Sequence, residues 1–151
     1  MRTLILVVLG IVVLSAAATF RSELVVSGED GQALWRLPVN SGTRVTLLYT
    51  NSIYNARTEE RFRVRSRSIV LETVASESEA VLAYNDLAGP YKKEGALVAA
   101  DIKRVFPALV LRIGQTGRQQ LAVGTSMIPL YTAGTGTQVR VEILRGWRLL
   151  R

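Results

Sequence analysis

Residues 58–76 read TEERFRVRSRSIVLETVAS, and this stretch decides the fold class. Charged and apolar residues alternate up to Val64, and a second apolar run begins at Ile69. A period of two is typical of a β-strand with one buried face. The polar residues from Arg65 to Ser68 are expected to form the turn between the two runs. The stretch therefore predicts a β-hairpin with one apolar face.

The predicted turn sets the register of this hairpin. Val64 is expected opposite Ile69 and Phe62 opposite Leu71, which brings the apolar pairs onto one face. The same register predicts four further pairs: Arg63–Val70, Arg61–Glu72, Glu60–Thr73 and Glu59–Val74. In this arrangement Arg61 and Glu72 form a cross-strand ion pair.

Two adjacent carboxylates, Glu59 and Glu60, precede the apolar part of the first strand. Neighbouring residues on a strand point to opposite faces, so the two cannot form a catalytic carboxylate pair. Glu60 falls on the apolar face, where a charge is costly unless it is paired. Arg57 or Arg44 is its expected partner.

The rest of the chain beyond residue 20 repeats this pattern of short alternating runs separated by turn signals. It predicts an all-β fold, an antiparallel sandwich or barrel of about nine short strands, in one domain over residues 21–151. Residues 77–95 are expected to be a less regular segment that contains a loop, NDLAGPYKKEG at 85–95, and QTGR at 115–118 a hairpin loop between two strands. The predicted core is Leu24, Val26, Trp35, Val45, Leu47, Phe62, Val64, Ile69, Leu71, Leu109, Leu111, Ile113, Leu121, Val123, Val139, Val141 and Ile143.

The first twenty residues carry an export signal. Arg2 precedes an apolar run from Leu4 to Leu14, and small residues follow up to Ala18. This order is typical of a cleaved secretory signal, with an Ala-x-Ala site that ends at Ala18. An uncleaved anchor helix is one alternative, because Leu4–Phe20 reaches the lower limit of the about 17 to 25 apolar residues that a membrane span needs. A buried helix of the domain is the other. The cleaved signal and the anchor both predict a periplasmic domain, either free or anchored to the outer face of the cytoplasmic membrane.

Composition excludes several kinds of chemistry. The chain has no cysteine and no histidine, so it has no disulfide, no thiolate nucleophile, no histidine base and no histidine-ligated metal. No metal site and no cofactor are expected. The formal charge is +7, but no aromatic-basic signature of RNA binding or recognition helix accompanies it. We therefore expect an anionic lipid surface or a small carboxylate ligand as partner, and no nucleic acid.

The arginines at positions 61, 63, 65 and 67 allow two interpretations. They form an anion-binding edge, or they form the solvated side of a hairpin, where charge also deters aggregation. Like charges about 6.6 Å apart on a strand repel weakly in water, so the run does not require a ligand.

A serine motif offers a third chemistry. GTSMIPLY at 124–131 is similar to the serine box of signal peptidases, with Ser126 as nucleophile. A Ser/Lys dyad works without histidine, and Lys92, Lys93 or Lys103 would be the base. In that family the lysine follows the serine, whereas every lysine here precedes Ser126. A strand with Met127 and Ile128 in the core is the structural alternative.

Four segments together carry a family resemblance: LLYTNSIYNARTEERFRV at 47–64, IVLETVASES at 69–78, LAVGTSMIPLY at 121–131 and VRVEI at 139–143. They resemble the exported family known as domain of unknown function 1850, which is often encoded beside tripartite ATP-independent periplasmic transporters of the TAXI type. Asn51 stands where that family usually has histidine, and Tyr54 where it usually has glutamate. The resemblance implies a location and a neighbourhood rather than a reaction.

Three functions follow as hypotheses. The first is a non-enzymatic accessory protein that binds a transporter subunit or its small anionic substrate. The second is a tethered structural module on anionic lipid, and the third, more remote, is the Ser/Lys hydrolase. The candidate ligand-binding residues are Asn51, Ser52, Glu59, Glu60, Arg61, Arg63 and Glu72.

Overall fold

Two antiparallel β-sheets make up the protein in a computed structural model that describes residues 18–87 and 89–149, with side chains at 22–87 and 89–146. Within these ranges there are eleven strands, a short helix α1 (Glu79–Tyr84) and a 3-10 helix (Leu130–Ala133). The strands are β1 Ala18–Ser27, β2 Ala33–Val39, β3 Arg44–Asn51, β4 Ala56–Arg65, β5 Ser68–Ser76, β6 Lys92–Glu94, β7 Leu97–Phe106, β8 Ala108–Arg112, β9 Gln120–Val123, β10 Ser126–Ile128 and β11 Gln138–Leu149.

The sheets differ in size. The smaller has the order β2-β1-β11-β8, and the larger has the order β10-β9-β3-β4-β5-β7-β6. The chain passes between them after β2, β7, β8 and β10. The predicted all-β fold is confirmed, and its two antiparallel sheets are β-sandwich-like.

One core lies between the two sheets. Leu24, Val26 and Val141 from the smaller sheet join Val64 and Ile69 from the larger in one buried cluster. Of the predicted core residues, fifteen are buried, and Trp35 and Leu111 are partly buried against the same cluster. The alternating pattern identifies these positions because each strand has one face toward the other sheet.

The prediction of about nine strands is corrected to eleven within the described ranges. Strand β6 has three residues, which is too short for a visible alternation, and it lies within residues 85–95, so the loop prediction is wrong there. Helix α1 lies in the first part of the segment 77–95 that was expected to be irregular. Burial of Val81 and Leu82 holds α1 against the larger sheet.

Two local predictions near the end of the chain are also corrected. Residues 115–118 do not close a hairpin, because β8 pairs with β11 in the smaller sheet and β9 pairs with β3 in the larger. The strand expected to run from Met127 to Tyr131 ends at Ile128, and a 3-10 helix follows Pro129. Met127 is exposed rather than in the core.

The predicted signal or anchor lies mostly outside the described residues, which begin at Ala18. Strand β1 starts at that residue, where the predicted cleavage site ends. The backbone of residues 18–21 pairs with that of residues 146–149 at the end of β11. In the ranges that the structure describes, we find no helix of the length and apolarity needed to cross a bilayer.

Burial of the inner hairpin face is expected to dominate stability. Ile69 has no exposed surface, whereas Ile53 in the β3–β4 turn is 62% exposed. Ile69→Ala should lower the free energy of unfolding by about 2–5 kcal/mol, because it removes buried methyl groups and leaves a cavity. Ile53→Ala, the matched control, should change it by less than about 0.5 kcal/mol. Urea unfolding followed by circular dichroism measures both, and equal losses would contradict the assignment of the inner face.

Candidate functional site

Strand β4 presents two chemically different faces, as its period of two predicts. Thr58, Phe62 and Val64 are buried on the inner face. Glu59 and Arg61 lie on the outer face, where their side chains form ion pairs. Glu60, between them in the sequence, bonds instead to an inner residue of β3. The predicted separation of the two glutamates onto opposite faces is therefore confirmed.

The outer face of β4 is an ion-pair network. The Glu59 carboxylate accepts hydrogen bonds from Arg57 at 2.6 Å and from Arg61 at 3.0 and 3.2 Å. Arg61 also donates to Glu94 of β6 at 2.6 Å. Lys92 and Asp101 form a further ion pair between β6 and β7. Arg61 thus has two carboxylate partners, and an anionic ligand would compete with both.

The predicted register is correct near the turn and wrong beyond it. Val64 pairs with Ile69, Phe62 with Leu71 and Arg63 with Val70, as expected. A bulge then places Arg61 opposite Thr73, Glu60 opposite Val74 and Glu59 opposite Ala75. Glu72 is the extra residue of β5.

The bulge also corrects the predicted Arg61–Glu72 ion pair. Glu72 instead accepts from Arg63, with both carboxylate oxygens 2.9 Å from Nε, and lies 4.0 Å from Arg65. The bond from Arg63 holds the pKa of the Glu72 carboxyl below its ordinary value. Arg63 further donates to the carbonyl oxygen of Gly42 at 3.4 Å. Most of the arginine run therefore has partners within the chain.

Glu60 lies half-buried on the inner face, and its partner is a tyrosine. The Tyr49 hydroxyl donates to Glu60 Oε1 at 2.9 Å. The prediction of Arg57 or Arg44 as partner is wrong, because alternation turns Arg57 to Glu59 on the outer face. Arg44 also lies on the outer side, close enough to Glu72 to lower its pKa.

The electrostatics of this pair differ from those of the outer face. Burial raises the pKa of the Glu60 carboxyl, and the hydrogen bond from Tyr49 opposes that shift only in part. Burial, together with the charge and the hydrogen bond of Glu60, raises the pKa of the Tyr49 hydroxyl. Tyr49 therefore remains the donor at neutral pH. A half-buried carboxyl with a raised pKa is a common mark of a functional site.

Glu60 lines a cavity of about 130 Å³ between the larger sheet and the segment that follows α1. Its walls combine apolar side chains with polar ones, and Asn85 and Arg104 are its exposed polar residues. Arg104 forms no ion pair with any residue that the structure describes. The residues that line the cavity are Glu60, Leu71, Val74, Asn85, Leu87, Ile102, Arg104 and Phe106.

Asn51 and Ser52 lie at the β3–β4 turn, outside this cavity. Asn51 Oδ1 accepts from the backbone N–H groups of Ile53 at 3.0 Å and Tyr54 at 3.2 Å, which closes the turn. Ser52 is exposed. The seven predicted site residues therefore fall into three places: this turn, the outer ion pairs and the inner carboxyl Glu60.

Sequence reasoning missed Tyr49, Asn85 and Arg104. Tyr49 has a signal in the sequence, because the alternation of β3 places it on the same face as Val45 and Leu47. Asn85 has no such signal, because it lies in a segment predicted to be a loop. Arg104 has none either, because it reaches the cavity only through the pairing of β5 with β7. That pairing follows from tertiary structure.

The sheet order separates the residues of the hydrolase hypothesis. Ser126 begins β10, at one edge of the larger sheet, and Lys92 and Lys93 lie on β6, at the other. Lys103 is on β7, next to β6. Four strands lie between β10 and β7, so no lysine is on a strand adjacent to Ser126.

The raised pKa of Glu60 predicts how stability changes with pH. The folded state holds this proton more tightly than the unfolded chain, whose pKa lies near 4.5. The resulting stability is fully present below the unfolded pKa and is lost as pH rises through the folded pKa. Glu60→Gln does not titrate and retains an acceptor for Tyr49. Its stability relative to the wild type should therefore rise as the pH increases above about 4.5.

Chemical unfolding of both proteins at a series of pH values measures this difference. Glu79→Gln, which removes an exposed carboxyl from the first turn of α1, is the control. A difference between wild type and Glu60→Gln that is constant with pH would contradict the raised pKa.

No protein-family model, no curated protein and no solved structure matches this chain. The resemblance to domain of unknown function 1850 stays a prediction. The site is accordingly interpreted from its own geometry.

Proposed function

We propose that this protein is an exported, non-enzymatic binding protein whose ligand site is the Glu60 cavity. The observation that carries the proposal is the half-buried Glu60 carboxyl, which lines a cavity and has one tyrosine hydroxyl as its hydrogen-bond partner. A carboxylate accepts several hydrogen bonds, so a second group is needed to satisfy it when it is charged. A bound ligand supplies that group.

A structural role explains Glu60 less well. The outer carboxylates Glu59 and Glu72 have arginine partners, which offset their charge. Burial disfavours the charged form of Glu60, as its raised pKa indicates. Groups that reduce stability in this way cluster at functional sites.

The lining residues indicate the class of ligand. Arg104, without an ion-pair partner among the described residues, is suited to a carboxylate, and Glu60 is suited to an ammonium group. Leu71, Ile102 and Phe106 provide apolar walls. A cavity of about 150 Å³ holds benzene, so about 130 Å³ admits roughly six non-hydrogen atoms. We infer a small α-amino acid such as glycine or alanine.

This proposal moves the ligand from the outer arginines to the inner face. Arg61 and Arg63 already pair with Glu59, Glu94 and Glu72, so an anion there displaces existing bonds. At the Glu60 cavity the ligand instead supplies a hydrogen-bond partner that the Glu60 carboxylate lacks within the described chain. The ligand remains a small carboxylate, as the composition predicted, with an added amino group.

The partner is proposed on the resemblance alone. A TAXI-type periplasmic transporter moves small organic solutes, and an accessory protein beside it would bind the solute or a transporter subunit. The alternative, a module that binds anionic lipid, depends on a different part of the surface and is compatible with this cavity.

Ligand-dependent thermal stability tests the proposal. Glycine and alanine should raise the melting temperature of the wild type, because a ligand that binds only the folded state stabilises it. Propionate and ethylamine, which each lack one of the two charged groups, should have at least about tenfold weaker effects, since a lost charged hydrogen bond costs about 1.5–3 kcal/mol.

Two variants locate the site. Glu60→Gln and Arg104→Gln should each reduce the alanine affinity about tenfold or more, measured by calorimetry. Glu79→Gln and Lys103→Gln, which alter exposed residues not among those lining the cavity, are the matched controls. Absence of binding by all small amino acids, or unchanged affinity in both site variants, would contradict the proposal.

A further inference from the structure

One end of the larger sheet is rich in arginine. Arg65 and Arg67 flank Ser66 at the β4–β5 turn, and Arg145 of the smaller sheet donates to Ser66 Oγ at 3.2 Å. Arg44 begins β3 and pairs in register with Arg63. We call these five arginines, at positions 44, 63, 65, 67 and 145, the basic end.

Carboxylates offset only part of this charge. Glu72 contacts Arg63 at 2.9 Å and Arg65 at 4.0 Å. Glu23, on the neighbouring part of β1, pairs with Arg36 at 3.4 Å. Arg67 forms no ion pair with a described residue and is exposed. Among the arginines at 44, 63, 65 and 67, Glu72 is the one described carboxylate within 4.0 Å, so these four residues keep a positive excess.

The other end of the larger sheet carries charges of both signs. There the chain passes from β5 into α1, and the exposed residues Glu77, Glu79 and Asp86 lie before, within and after that helix. The exposed cations Lys93 and Arg118 lie at the same end. The positive charge is thus concentrated at the β4–β5 turn, and an uneven distribution of this kind orients a protein in the field of a charged surface.

Apolar side chains accompany the arginines. Val105 on β7 lies in the same register row as Val70 and Arg63, and it is 61% exposed. Leu144, next to Arg145 in the chain, is 42% exposed. Arginine beside exposed aliphatic groups suits the interface of a bilayer, where headgroups and acyl chains meet.

The chain also leaves the domain at this end. Ser22 of β1 lies opposite Arg145, and β1 extends beyond it to Ala18. The apolar run from Leu4 to Leu14 precedes that strand in the sequence. The connection from Leu14 to Ser22 spans at most about 28 Å when fully extended, so a membrane segment at Leu4–Leu14 would keep the basic end near the bilayer.

We propose that the basic end docks on the anionic headgroups of the cytoplasmic membrane's outer face. Each arginine near an anionic surface contributes to binding, and the contribution falls off within about 8 Å at physiological salt. The inference is independent of the ligand proposed for the Glu60 cavity.

Flotation of the full chain with vesicles tests the proposal. Binding to phosphatidylcholine vesicles gives any contribution of the apolar N-terminal residues. The additional binding to vesicles that also contain phosphatidylglycerol gives the charge-dependent part. Arg65→Gln/Arg67→Gln should weaken that charge-dependent part about 30-fold at low salt, because two interfacial charges are removed. About 1 M salt should abolish it in the wild type, since the screening length is then about 3 Å.

The matched control is Arg112→Gln/Arg140→Gln. It removes the same charge from exposed positions at the other end of the smaller sheet, where β8 pairs with the start of β11. Its binding should stay within about threefold of the wild type, and thermal melts should show that both double variants fold.

Three outcomes would overturn the proposal. The first is equal binding to the two kinds of vesicle. The second is an equal loss in both double variants, which indicates dependence on net charge rather than on this end. The third is displacement from the vesicles by duplex DNA or an acidic peptide at matched charge concentration, which indicates a general polyanion surface.

Discussion

Burial of the inner face of the β4–β5 hairpin is the constraint on which the rest of the structure depends. Phe62 and Val64 face Leu71 and Ile69 across the hairpin, and all four are buried. Because a shift of one residue would move this set to solvent, the register near the turn has one stable solution. Arg61 and Arg63 lie on the outer face as a consequence, where they are half-buried in an ion-paired sheet face.

The bulge at Glu72 changes which side chains pair across this hairpin. Without it, Arg61 and Glu72 would pair across the strands and Glu60 would lie opposite Thr73. With it, Glu72 forms an ion pair with Arg63, and Arg61 forms ion pairs with Glu59 and Glu94. Bulges are common next to functional sites, where they redirect side chains. Here the bulge places apolar Val74 opposite Glu60, beside the cavity.

The two proposals concern different parts of the domain surface: the Glu60 cavity and the basic end. Ion pairs within the larger sheet leave Glu60 and Arg104 as the charged groups of the cavity, while the arginines around Ser66 have few carboxylates near them. A domain that docks by its basic end and binds a small solute on its inner face would be suited to work beside a membrane transporter. Either property is open to test without the other.

Sequence by itself determined the strands with clear alternation. It identified the β4–β5 hairpin, nearly all of the buried set from Leu24 to Ile143, and the placement of Glu59 and Glu60 on opposite faces. Those features depend on a period of two, which is local. The absence of cysteine and histidine excluded thiolate and imidazole chemistry in the same direct way.

Tertiary structure decided the remainder, because partners distant in sequence carry no local signal. It separated β8 from β9 into different sheets, inserted the bulge, and packed α1 where no regular element was expected. It also joined Tyr49 to Glu60 and brought Arg104 to the same cavity. Alternation specifies which face a side chain lies on, but only the packing of one strand against another specifies what it meets there.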